Sequence, residues 1–325
     1  MSTVRIHDDH PGAAPSDDSG QASRATGSWR RPRLTGRAGP RTARPRSRAF
    51  GRSTPAGLVA RYTTLLLVTA ITIGPMVWEL STSLKSSSED VYGSTLQFVP
   101  QDPTFANYSK VARTIPIWNF ASNSLVVAVL CVAGNILGAT IAGFALARLR
   151  FRGRRLVFGL FLSTLLLPGE VTIISQFQII TNLGLGDSLL GVALPTMIGA
   201  LNVLLMRNAF LSIPQDIDEA AVIDGATVLQ RLRYVGLPNV KGTLAVIAIL
   251  TFIGAWDDFL WPLLVLQTPD KLTLTVGLAY LKSTFSADPR TMAAGAMIAL
   301  VPILVMFVSL QRFFFKGVGE GAVKG

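Results

Sequence analysis

From Leu58 onward, long apolar runs alternate with short polar links. Six runs reach the roughly 20 mainly apolar residues needed to cross a bilayer's hydrocarbon layer. They cover approximately 59–82, 121–147, 156–180, 189–211, 242–266 and 292–314. Buried helices of a large soluble protein seldom repeat at this length with so few charges between them. The pattern therefore predicts an all-α, polytopic membrane protein with six transmembrane helices. Gly74-Pro75, Pro168-Gly169, Pro195, Pro262 and Pro302 fall inside the runs. In a bundle, neighbouring groups satisfy the carbonyls that proline frees, so these positions predict kinks and close packing.

Residues 1–57 are a different material. Met1, Val4, Ile6, Trp29, Leu34 and Phe50 are their strongly apolar members, scattered among Gly, Ser, Pro, Ala and Arg. Such a segment buries too little apolar area to offset chain entropy and is expected to be disordered. Ser28-Trp29-Arg30-Arg31 has a trace of a twin-arginine signal, but no apolar stretch follows until about Leu58, so a cleavable signal is rejected. His7 and His10 stand at a spacing that could touch a metal ion. With so few apolar neighbours to fix the geometry, an incidental polar cluster is the better reading, and no metal site is expected.

Charge changes the picture by its position. The chain has a net charge of +11 and a charged fraction of 15%, against about 25% in soluble domains. Residues 1–57 carry 11 Arg and 4 Asp, whereas the remainder nets only +4. Five arginines crowd the link Arg148 to Arg155. Together with the tail, Arg207, Arg231, Arg233, Lys241, Arg312, Lys316 and Lys324, they place 23 basic residues on one side of the six spans, against six in the opposite loops. The excess of basic residues on one side predicts both termini in the cytoplasm, with the tail near anionic lipid rather than nucleic acid. Trp78, Trp118, Trp261 and Tyr280 then fall at or near the outer boundary.

The link between the fourth and fifth runs, 213–238, is too polar to span and too patterned for an unstructured loop. Pro214 suits a first helical position, Asp216, Asp218 and Glu219 favour a helix N-terminus, and Gly225 can end a helix in the left-handed conformation. Thr227 followed by Gln230 reads as a capping box that opens a second helix, and Pro238 stops it. Two short helices around a glycine turn are predicted.

Glu219-Ala220-Ala221, then Gly225 after three residues, then Leu237-Pro238 after eleven more resemble the EAA loop of ATP-binding-cassette (ABC) importer permeases. Ser83-Leu84-Lys85, Asn107-Tyr108, Phe144-Ala145-Leu146-Ala147-Arg148, Leu167-Pro168-Gly169-Glu170, Gly254-Ala255-Trp256-Asp257-Asp258-Phe259 and Gly321-Ala322-Val323-Lys324-Gly325 narrow the likeness. Residues 58–325 are similar to the six-span subunit of the maltose-type carbohydrate importers. Two departures are visible: the family's Trp-Asn-Asp-Phe is Trp256-Asp257-Asp258-Phe259, and Gly317-Val318-Gly319-Glu320 replaces Gly-Leu-Thr-Ala.

The resemblance implies an ABC importer permease fold in which Glu219, Ala220, Ala221, Asp224, Gly225, Leu237 and Pro238 form coupling helices that dock on a dimer of ATPase subunits. Glu219 is then a polar anchor of the dock or a helix-capping charge only. It further implies a second permease subunit in a heterodimer, an extracytoplasmic solute-binding protein, a sugar or oligosaccharide substrate, and residence in the bacterial inner membrane. Gly321, Ala322, Val323, Lys324 and Gly325 are expected to reach the ATPase interface, or to form an ordinary exposed end. No cofactor is expected in this chain, and ATP and Mg belong to the partner ATPase. A permease for glycerol phosphate or a polyol is the alternative.

Acidic groups inside spans are costly against lipid and should face protein, an aqueous pathway or the outer interface. Glu79 fits the interface. Glu170 either caps a broken helix or lines the pathway. Trp256, Asp257, Asp258 and Trp261 carry the groups on which sugars stack and hydrogen-bond, but in the maltose-type system the other permease subunit holds most of the sugar, which favours gate or packing roles here. A membrane enzyme is disfavoured because no histidine occurs outside the tail, and a passive channel or sensor because neither has need of coupling helices. The chain contains no Gly-x-x-x-x-Gly-Lys-Ser/Thr phosphate loop, so it is expected to leave hydrolysis to another polypeptide.

Overall fold

A computed structural model describes residues 55–93, 97–284 and 288–322. Among them every regular element is a helix. The chain divides into two units, Met1–Val59 and Ala60–Gly325, and the described part of the first is the opening turns of one helix. Residues 1–54 of the expected disordered tail, His7 and His10 among them, lie outside the described residues, and its last three, 55–57, open the first helix.

In chain order the α-helices are α1 (Pro55–Leu84), α2 (Ala106–Thr114), α3 (Ile117–Arg148), α4 (Arg154–Thr164), α5 (Ile173–Asn182), α6 (Leu189–Ala193) and α7 (Ala200–Ser212). There follow α8 (Gln215–Ile223), α9 (Val228–Gln230), α10 (Leu237–Asn239), α11 (Lys241–Asp257), α12 (Leu260–Val265), α13 (Leu274–Thr284) and α14 (Pro289–Ala322). Three helices are each long and apolar enough to cross a membrane: Pro55–Leu84, Ile117–Arg148 and Pro289–Arg312. By length and composition three bent pairs bring the number of spans to as many as six: Arg154–Thr164 with Gly169–Asn182 at 99°, Leu189–Thr196 with Ala200–Ser212 at 47°, and Val228–Asn239 with Lys241–Asp257 at 79°, although in the last pair the first member belongs to the polar 213–238 link and only Lys241–Asp257 coincides with the apolar run.

The bends correct the picture of six continuous helices. At Leu167-Pro168-Gly169 the proline lacks the N–H that would continue α4, and the chain restarts in a 3-10 turn, Gly169–Thr172. The run 242–266 is not one helix either, since α11 stops at Asp257 and α12 begins at Leu260. The Asp258 backbone is extended at this break, and its carboxylate accepts from Trp261 N at 3.4 Å, so the acid occupies the start of the next helix.

The helices α3, α7 and α11 form the centre. Because lipid tails are as apolar as leucine, helices in a bilayer associate through close packing and polar contacts rather than a hydrophobic drive. Both occur here. A Cβ added at Gly143 of α3 would stand 2.8 Å from Met206 Cβ and 2.9 Å from the Arg207 backbone nitrogen, so the backbones of α3 and α7 meet closely there. Asn135, 1% exposed on α3, donates through Nδ2 to Cys131 O at 3.1 Å and Thr196 O at 2.7 Å. Its Oδ1 accepts from Gly199 N and Asn202 Nδ2, each at 2.8 Å, and Asn202 continues to Thr251 Oγ1 of α11 at 3.1 Å. Three elements are thus tied through one fully used amide.

Around this seam lie two apolar clusters. One gathers Phe120, Val127, Phe252, Trp256, Trp261 and Leu274, and the other Phe144, Met206, Phe210, Ile213, Val240 and Ile247. In contrast, α1 exposes almost every residue up to Leu80, and α4 buries none.

Candidate functional site

The segment between α7 and α11 folds as a compact knob. Pro214 is the N-cap of α8 rather than its first residue, with Asp216 and Asp218 in the first turn. Gly225 follows with φ +78°, a conformation unfavourable to any residue with a Cβ, and it closes the turn through Gly225 N to Val222 O at 3.0 Å. The capping box is complete: Gln230 N donates to Thr227 Oγ1 at 3.3 Å and Thr227 N to Gln230 Oε1 at 2.8 Å.

The second helix differs from expectation. After one α-turn the chain widens into a π-turn, Arg231–Gly236, and Pro238 lies within the short α10 instead of ending the helix before it. Proline at 238 cannot donate to the carbonyl four residues back, and its ring crowds it, which favours the wider turn. Asn239 Nδ2 takes up Val235 O at 2.8 Å.

Glu219, Ala220, Asp224, Gly225 and Pro238 are exposed, while Ala221 and Leu237 are half-buried. Glu219 is held by Gln215 Nε2 at 2.7 Å. Ile223, Leu229 and Tyr234 of the same segment present exposed apolar surface. Sequence reasoning assigned Asp218 only to the helix N-terminus. In the structure it is buried and accepts two hydrogen bonds from the Arg231 guanidinium, from Nε at 3.0 Å and from Nη2, which braces α8 against the returning chain. A pairing 13 residues apart across a turn leaves no periodic signal.

The knob joins the bundle at Phe210 and Ile213. Arg148, the last residue of α3, donates Nη2 to Phe210 O at 2.6 Å and also to Ile213 O. Arg154 in turn takes Ala147 O at 3.2 Å and Leu149 O at 3.4 Å. Two arginines read from sequence as topology markers thus also cap helix C-termini, where carbonyls lack partners and positive charge is favoured.

The candidate pathway residues do not form one surface. Trp256 is 3% exposed, stacked on Phe252 at 5.6 Å, with Nε1 donating to Ala299 O. Trp261 is buried with Nε1 on Val192 O at 3.1 Å. Their rings serve packing and offer no open face. Asp257 is exposed, and Glu170 is exposed in the 3-10 turn at the α4–α5 bend. Asp258, by contrast, borders a cavity of about 270 Å³ with Asn135, Thr196, Asn202, Thr251 and Gly254. Glu79 is exposed near the end of α1. Gly321 and Ala322 are in the last turn of α14, and Val323, Lys324 and Gly325 lie outside the described residues.

At the opposite end, two polar clasps went unread in the sequence. Asp187, at φ +51°, accepts from Thr268 Oγ1 at 2.6 Å, Thr268 N, Gln267 N and Lys271 Nζ. Those bonds, led by the Thr268 hydroxyl, hold its carboxyl well below the usual carboxylate range. Asp288 is clasped by Lys110 Nζ and Arg290 Nε, each at 3.0 Å. Burial alone would raise its pKa, but the hydrogen bonds from Lys110 and Arg290 outweigh that and bring it down to about 2. Arg290 also spans to Ser86 O and Glu89 O, joining the α1–α2 link to the start of α14.

Residues 113–319 match the family described as binding-protein-dependent transport system inner membrane component. The arabinooligosaccharides transport system permease protein AraQ of Halalkalibacterium halodurans is 32% identical over 78% of this chain and 92% of its own length. The diacetylchitobiose uptake system permease protein DasC of Streptomyces coelicolor is 32% identical over 77% and 91%. The sn-glycerol-3-phosphate permease protein UgpE of Escherichia coli is 29% identical over 79% and 94%. Among solved structures, a bacterial ABC transporter involved in import of the acidic polysaccharide alginate superposes with a TM-score of 0.71 at 26% identity, covering 81% of this chain and 98% of that one. The all-helical bundle, the matched residues and these relatives agree: the chain belongs to the binding-protein-dependent transport system inner membrane component family, among the permeases of carbohydrate-type ABC importers.

Proposed function

We propose that this chain is one of two permease subunits, in a heterodimer, of an ATP-driven importer for a sugar or oligosaccharide. An extracytoplasmic binding protein delivers the solute, and a dimer of ATPase subunits, carrying ATP and Mg, powers its passage. The observation that carries this reading is the knob: Glu219 and Ala220 stand exposed on a short helix whose turn, cap and ion pair are all internally satisfied. A preformed, rigid projection loses little entropy on docking and so suits a lever between a motor and a bundle. The distribution of basic residues supports placing the knob and both termini in the cytoplasm.

The relatives named for oligosaccharides favour a sugar, and the one named for sn-glycerol-3-phosphate supplies the rival. The cavity beside α3 and α11 has a mixed wall, the amides of Asn135 and Asn202, the hydroxyls of Thr196 and Thr251 and the Asp258 carboxylate beside the apolar Val127, Val192 and Ala255 and the Cys131 thiol, with no lysine or arginine. That chemistry suits neutral hydroxyls better than a phosphate dianion. Its place between the central helices supports Asp258 as a gate or pathway residue, with Trp256 and Trp261 as packing.

The test is reconstitution of the complex in vesicles with labelled oligosaccharides and glycerol 3-phosphate as competitors. Sugar uptake that depends on the ATPase and is abolished by Glu219→Lys supports the proposal. Unchanged uptake in that variant, or uptake of the phosphate alone, overturns it.

A further inference from the structure

The knob is internally braced by its cap, turn and ion pair, but a lever also needs a fixed joint, and among the described residues the Arg148 side chain supplies polar contacts there. Phe210 is the meeting point. Its ring packs edge-on against Phe144 of α3 at 5.3 Å, and a Cβ on Gly236 of the returning chain would touch its Cε1 at 3.0 Å. Its carbonyl and that of Ile213, where α7 gives way to the knob, both accept from Arg148 Nη2. Arg148 is itself the last residue of α3, the helix that carries Asn135 and so reaches the cavity.

We propose that Arg148 is the positioning residue that fixes the knob to α3, so that movement of the knob is passed to the central helices instead of being absorbed at Ile213, where α7 ends. The proposal rests on the coupling role given to the knob above. A guanidinium is suited to this place: it stays charged, it favours the carbonyl end of a helix dipole, and one nitrogen can bridge two acceptors. An apolar side chain of similar length would leave the Phe144–Phe210 ring contact in place but give both carbonyls no donor.

Two measurements on the full complex decide it. In vesicles, Arg148→Met is expected to lower the ratio of solute transported to ATP hydrolysed by about tenfold, as loss of a charge-assisted bond would. Arg148→Lys should recover part of that ratio, and the ATPase subunits should remain bound in both. Separately, spin labels at Leu137→Cys on α3 and Ile223→Cys on the knob, positions 64% and 85% exposed, should give one narrow distance in the parent and a broadened one in Arg148→Met. An unbroadened distance with an unchanged ratio overturns the proposal. If ATPase subunits fail to bind the parent complex, the coupling reading of the knob falls, yet the distance measurement still decides whether Arg148 fixes it. Should Arg148→Met not fold, Arg148→Gln, which keeps a neutral donor but loses the charge, gives the same two readouts, and a narrow distance with a parental ratio there overturns the assignment.

Discussion

Asp218 and Arg231 meet in a two-point ion pair across the Gly225 turn, each side chain only 12% exposed. Removing one partner of such a pair leaves the other charge half-desolvated, which costs far more than the pair gains. Asp218→Ala is therefore expected to loosen residues 214–236 by about 2 kcal/mol. Hydrogen exchange should rise across this segment while α3 and α11 stay protected. Equal exchange in variant and parent would show that the pair does not brace the knob.

A Cβ added at Gly225 would meet nothing within 4 Å, so the cost of substitution there is conformational alone. At φ +78°, Gly225→Ala should cost about 1–2 kcal/mol and Gly225→Val more, whereas Gly225→Asn, which tolerates the left-handed region, should sit closer to the parent. Local protease sensitivity of the knob, read in that order of variants, checks it.

The Asp288 clasp should respond to acid. Its carboxyl titrates near 2 in the folded chain, below the ordinary value of 3.8. A lowered folded value means that the carboxylate's stabilising contribution is fully present above the ordinary value and is lost as pH falls toward 2. The join between Lys110 and the start of α14 is thus expected to hold at neutral pH and weaken between about pH 4 and 2. In Asp288→Asn the acid-dependent part should vanish, measured as the thermal midpoint against pH.

Gly143→Leu should drive α3 and α7 apart, because its first side-chain carbon already lies within 2.9 Å of Met206 Cβ and the Arg207 nitrogen. Overpacking of this kind costs about 1–3 kcal/mol. A lowered midpoint with the knob's own exchange unchanged would separate this seam from the Asp218–Arg231 brace.

What the chain declares locally, it declares well. The Thr227–Gln230 cap and the Gly225 turn depend on neighbours within four residues, and each is present in the structure, while of the six apolar runs three are single long helices and the others are broken or bent. The Pro168-Gly169 break was legible as a kink but not as a 99° bend, since the angle depends on what surrounds the freed carbonyls. The Asp187 clasp joins residues some 80 apart and Arg290 reaches across some 200, separations at which no pattern along one helix or turn can point. The same holds for Arg148, whose position among five clustered arginines spoke of orientation while its partners lay more than 60 residues away.

Cys131 is the chain's sole cysteine, and it is 1% exposed, with its sulfur 3.2 Å from Thr196 Oγ1. To a water-soluble maleimide the native protein is therefore expected to react slowly, since its thiol is buried at the wall of the Asp258 cavity and only a probe that enters that cavity meets it. The wild-type chain is in effect its own blank for labelling chemistry: introduced thiols on the knob, the clasps or α1 should react against a low background, with no need to disturb the contact between α3 and Thr196.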